Sequence, residues 1–133
     1  MSAYVLSRVL PDLSRRFFEI TEMCREPANE PFALAELNHW LARLNGAELR
    51  DAVAHPPAPG LSAFLANYVA AMVEYACAKR DAALPSWTRS IAPLVEPAFG
   101  SRLASLRLHL LMHSPPPFRR RNIFIDSSIG SRV

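Results

Sequence analysis

At 133 residues, half of them apolar, the chain is long enough to bury one core, and a single domain is expected. Fifteen Lys and Arg stand against twelve Asp and Glu, and the four glycines are scattered, which excludes the common glycine-rich phosphate loops. The longest nearly uncharged stretch, 61–73, runs into Glu74, Lys79, Arg80 and Asp81, too short for a bilayer span, and Arg8 and Pro11 interrupt the one leader-like segment, so a cytoplasmic protein with no membrane partner is expected.

The predicted elements are helices. Leu6, Val9 and Leu10 repeat at helical spacing before Pro11 and suggest a first turn. Asp12 then precedes Leu13, Phe17, Ile20 and Cys24, an amphipathic series that predicts a helix from about 12 to 25, closed by Pro27. Pro31 can occupy a first helical position, and Leu34, Leu37, Leu41 and Leu44 mark one face until Asn45-Gly46 supplies a stop. A short helix from Ala47 to His55 buries Leu49 and Val53. Residues 55–60, His-Pro-Pro-Ala-Pro-Gly, form a stiff loop because prolines remove donors and push the preceding residues out of the helical region.

Residues 61–83 predict the central helix, apolar around most of its circumference. From Leu84 to Pro97 three prolines and Trp87 indicate an irregular crossing, and Leu103, Leu106, Leu110 and Met112 indicate a last helix over about 99–113. The expected fold is therefore all-α: a compact bundle of about five helices over 1–113, with an extended, Pro/Arg-rich arm over 114–133. Ile123-Phe-Ile125 is the one strand-like run and has no evident partner in the chain.

Charge is unevenly placed. Residues 1–88 carry eight basic against ten acidic side chains, whereas 89–133 carry seven arginines against Glu96 and Asp126. Lys79 is the sole lysine, and arginine suits forked contacts to carboxylate or phosphate.

No arrangement of nucleophile and base is visible. His39 and His55 stand apart from any Ser, Cys or carboxylate set, and the pairs Glu19/Glu22 and Glu48/Asp51 lie on faces already marked by arginine. Cys24 and Cys77 form no close motif and read as reduced, buried thiols. His109 and His113 lie four apart and could face one metal ion, but no third ligand of matching spacing accompanies them, so neither metal nor cofactor is expected. A metal protein or enzyme built on that pair is the weakest of three functional readings.

The segment Ser114-Pro-Pro-Pro-Phe-Arg-Arg-Arg-Asn-Ile-Phe-Ile-Asp126 bears on the other two, a protein-interaction module and a nucleic-acid-binding accessory protein using Arg119, Arg120, Arg121 and Arg102 or Arg107, and its own structure can be read in two ways. Three prolines favour polyproline II, and in an extended chain Arg119 and Arg121 point one way and Arg120 the other. One reading is a docking arm in which Phe118 and Phe124 anchor a partner while Arg119, Arg120, Arg121 and Asn122 reach acidic groups of a protein or phosphates of nucleic acid. In the other, Phe118, Ile123 and Phe124 fold back on the helices and one or two arginines cap helix ends or pair with the acids of 12–51.

Taken with Leu84-Pro-Ser-Trp87, Glu96-Pro-Ala-Phe99 and the Leu106-Arg107 stretch, this segment resembles the closing "SPxxFRRRxIFID" of a group of uncharacterised bacterial proteins; the resemblance covers roughly residues 61–130. Members of that group look like the small partner in two-gene cassettes similar to toxin–antitoxin pairs, beside a nucleotidyltransferase-like protein. The resemblance implies an interaction protein whose partner is encoded by an adjacent gene. It directs attention to Trp87, Phe99, Ser114, Phe118, Arg119 to Asn122, Phe124 and Asp126. Some members begin with a helix-turn-helix domain; no such pattern is visible in the first 55 residues here, which weighs against operator binding.

Overall fold

A computed structural model describes residues 11–99 and 114–125. The elements, in chain order, are α1 (Asp12–Met23), α2 (Glu30–Arg43), α3 (Gly46–Ala52), α4 (Ala63–Lys79), a 3-10 turn (Ser86–Ser90), β1 (Ala98–Phe99), α5 (Pro116–Arg119) and β2 (Ile123–Phe124). The fold is all-α, and the two strands among the described residues are two residues each. The expected turn within 3–10 and the expected helix over 99–113 lie outside the described residues, apart from Phe99, whose backbone belongs to β1.

α1 packs against α2 and α3 and buries Phe17 and Ile20, as its spacing predicts; Cys24 just past its end is buried too and Leu13 is half-buried, while Ser14, Phe18 and Thr21 are buried beyond that series. The Thr21 hydroxyl donates to the Phe18 carbonyl and accepts the Ala58 amide at 3.0 Å, which fixes the proline-rich loop to this helix. Ser14 likewise donates to the Asp51 carbonyl at 2.7 Å, joining α1 to α3. Where α2 should stop, the Asn45-Gly46 pair acts differently from the C-terminal signal expected of it. α2 ends at Arg43, Leu44 is extended, and Asn45 is the N-cap of α3. Its side chain accepts the Glu48 amide at 2.8 Å and its own amide donates to the Glu48 carboxylate at 3.0 Å, a complete capping box. The last carbonyls of α2 are satisfied from elsewhere: the Arg80 guanidinium donates to Ala42 and Leu44.

α4 is the central helix, with Leu65, Val69, Ala70, Ala71, Met72, Val73, Ala76 and Cys77 all buried. Ser62 caps its start by accepting the Leu65 amide. It stops at Lys79, short of the expected residue 83, because Asp81 turns left-handed at φ 52°. The chain then crosses back through the 3-10 turn, where Trp87 packs on Phe17 at a ring separation of 6.0 Å and donates its indole N–H to the Val53 carbonyl at 2.7 Å. That bond satisfies the single polar atom of a buried indole.

Cys24 and Cys77 are both buried and unpaired by disulfide. Burial, aided by nearby Glu30, pushes the Cys24 thiol up from 9.0 to about 11; burial and then Glu74 raise that of Cys77. Both thiols should therefore react with a thiol reagent at pH 8 far more slowly in the native protein than after unfolding, and equal rates would contradict their burial. Because the folded chain holds the thiol protonated, the Cys24 contribution is complete below pH 9. It declines as the pH rises from there towards about 11, where the unfolded thiol has already ionised.

Candidate functional site

Residues 114–125 form a closed loop laid on α4 and the crossing that follows it. Ser114 closes the loop: its hydroxyl donates to the Ile125 carbonyl at 3.0 Å and accepts the Ile125 amide at 2.9 Å. Pro115 is extended, but Pro116 to Arg119 make one helical turn instead of continuing the polyproline II path expected from three prolines. Proline fixes φ near a value common to both conformations, so burial of Pro117 and Phe118 decides between them. Asn122 then reverses the chain in the left-handed region at φ 64°, a conformation asparagine tolerates better than most residues. Its side-chain amide donates to the Leu94 carbonyl at 2.7 Å.

β2 finds a partner within the chain, contrary to the expectation for Ile123–Ile125. It runs parallel to β1, with Ala98 opposite Ile123 and Phe99 opposite Phe124. The Ala98 amide donates to the Asn122 carbonyl at 2.8 Å and the Leu94 amide to the Arg121 carbonyl at 3.3 Å. Phe118 is fully buried, its ring meeting Tyr68 edge-on at 5.4 Å and Tyr75 at 6.3 Å. Ile123, Phe124 and Ile125 are buried as well. Phe118 and Phe124 thus anchor the loop in the core of their own chain.

The three arginines separate. Arg121 is 6% exposed and enters a polar pocket inside the protein. Its Nε and Nη2 hold the two oxygens of Glu74, each at 3.1 Å. Nη2 also donates to the Thr88 carbonyl at 2.8 Å, while Nη1 donates to Asn67 Oδ1 at 2.8 Å and the Ile91 carbonyl at 3.1 Å. All five N–H groups of the fork are used. Asn67 is itself fixed, its amide donating to the Ala63 and Ala92 carbonyls. The partner of Arg121 is therefore a carboxylate of α4 and none of the acids of 12–51. Arg119 and Arg120 are exposed, and no hydrogen bond or ion pair engages either side chain among the described residues.

Asn67, Glu74 and Thr88 went unnoticed in the sequence as partners of the arginine cluster. One signal was present: Asn67 and Glu74 are seven residues apart, two turns on one face of an otherwise apolar helix. Polar residues so placed must be paired once buried.

His39 lies on α2 with its ring nitrogen 3.2 Å from Arg43, and His55 is exposed. His109 and His113, with Arg102, Arg107 and Asp126, lie outside the described residues. Among the described residues no group of three His, Cys, Asp or Glu is placed to hold a metal ion. Nor is any helix there long and apolar enough to cross a membrane. Comparison of the chain with protein-family models, with curated proteins and with solved structures produced no match in any of the three.

Proposed function

We propose that the chain is a non-enzymatic protein-interaction module that presents Arg119 and Arg120 to a partner protein. The observation that carries this reading is the division of labour among the three arginines. Arg121 is consumed by the fold, whereas its two neighbours stand exposed on a turn held on one side by Phe118 and on the other by Arg121. A turn fixed in this way loses little backbone entropy on binding, which favours affinity from a small contact. The partner that the "SPxxFRRRxIFID" resemblance suggests is a nucleotidyltransferase-like protein from an adjacent gene, with this chain in an antitoxin-like role. Phe118, Asn122 and Phe124 then act by holding the turn and Arg121 by locking it.

Co-expression with the adjacent-gene product tests the reading. A tagged chain should retain the neighbour through purification and relieve its toxicity. Recovery of the tagged chain alone, with the neighbour's solubility and toxicity unaltered, would contradict it.

A further inference from the structure

The contacts of Arg121 gather more than the two arginines of its own turn. It donates to the carbonyls of Thr88 and Ile91, on either side of Arg89, which is exposed. Leu94 is bonded to both Arg121 and Asn122, which brings the neighbouring Val95 beside the same turn, and Val95 is 96% exposed. Arg89, Arg119 and Arg120 are all free of described side-chain partners. Against these three cations, the crossing from 87 to 98 contributes a single acid, exposed Glu96, since the Glu74 carboxylate is committed to Arg121. The segments that Arg121 and Asn122 tie together thus carry three exposed arginines and an exposed valine.

From this juxtaposition we infer that the surface takes an acidic segment of a partner protein, with carboxylates on Arg89, Arg119 and Arg120 and an apolar residue seated on Val95. The inference rests on the interaction reading above and adds the chemistry of the partner. Guanidinium forks match carboxylates in planar, bidentate geometry. An exposed valine gains nothing from a phosphate backbone but buries favourably against an apolar side chain. Single-stranded nucleic acid would instead call for open aromatic faces on which bases stack. Among the described residues the rings beside these arginines are engaged: Trp87 and Phe118 are buried, Tyr68 and Tyr75 meet Phe118 edge-on, and the Lys79 ammonium lies over the Tyr75 ring at 5.0 Å.

The test is fluorescence anisotropy on the full chain with three labelled probes: a short peptide alternating Glu and Leu, its Gln–Leu counterpart, and a single-stranded oligonucleotide of similar charge. The acidic peptide should bind at low salt, and the Gln–Leu peptide and the oligonucleotide should bind at least about tenfold more weakly. Arg119→Glu with Arg120→Glu should weaken the acidic peptide by about tenfold or more, and Val95→Asp should weaken it as well. Unchanged melting checks each fold, and Arg89→Glu replaces any variant that melts early. Equal binding of both peptides, preferential binding of the oligonucleotide, or no binding of the acidic peptide overturns the inference. If the neighbour still co-purifies while the acidic peptide fails to bind, the interaction reading stands and the acidic partner does not.

Discussion

Replacing Arg121 by Ala should destabilise the protein by about 3–5 kcal/mol, because it strands the Glu74 carboxylate in a buried pocket without its counter-charge. The Glu74 side chain is 13% exposed and that of Arg121 7%, so water can do little to compensate. The loss also leaves Asn67 Oδ1 and the Thr88 and Ile91 carbonyls without the donors that serve them. Against a typical domain stability of about 5–15 kcal/mol, this is enough to unfold a marginal protein. Arg121→Lys should recover only a minor part, since an ammonium presents three donors at one point where the site spreads five acceptor contacts around a plane. The double variant Arg121→Met with Glu74→Leu should be less destabilised than Arg121→Ala, having no orphaned charge. Denaturant unfolding of the four proteins measures this. If Arg121→Ala unfolds within about 0.5 kcal/mol of the parent, as an ordinary surface change does, the clasp contributes nothing.

Phe118→Ala should cost a similar amount, about 3–5 kcal/mol, by leaving a cavity where a fully buried ring met two tyrosines. Arg119→Ala and Arg120→Ala provide the internal contrast: both side chains are exposed and have no partner among the described residues, and each change should stay within about 0.5 kcal/mol. Four consecutive substitutions, 118 to 121, are thus expected to alternate between severe at the two ends and neutral in the middle. A free arm would give four small effects in a stability measurement. Residues that contact only a partner would show their effects in binding.

That alternation marks the limit of what could be read from the residues alone. Helices α1 to α4 were legible because their apolar positions recur at the helical period, and the centrality of α4 followed from its nearly continuous apolar surface. Asn45-Gly46 misled because asparagine serves equally at the end of one helix and the start of the next. Glu48, three residues on, was the distinguishing sign of a capping box. The proline run misled for a related reason: the pyrrolidine ring fixes φ but leaves ψ to the surroundings, and the buried Pro117 and Phe118 draw it into a helical turn.

The burial of Arg121 was hidden more deeply. An extended chain puts residues 119 and 121 on the same side, whereas a helical turn followed by a left-handed asparagine points one inward and leaves the other in solvent. Its partner lies 47 residues earlier, where Glu74 reads in sequence only as the end of an apolar run. The short strand pair is similar, since two residues at 98–99 carry no periodic signal and are defined only by the segment they meet. What reads in sequence as a basic arm is in structure a clasped loop that buries Arg121 and leaves Arg119 and Arg120 exposed.

Amide hydrogen exchange on the native chain tests that claim most directly. The amides of Arg121, Asn122 and Ile125 are donated to Phe118, Arg119 and the Ser114 hydroxyl, and the Ala98 amide to Asn122. The clasped loop predicts that these four exchange orders of magnitude more slowly than an unstructured peptide and open together with the interior of α4. Exchange at the free-peptide rate while the α4 amides remain protected would show that residues 114–125 are an arm after all.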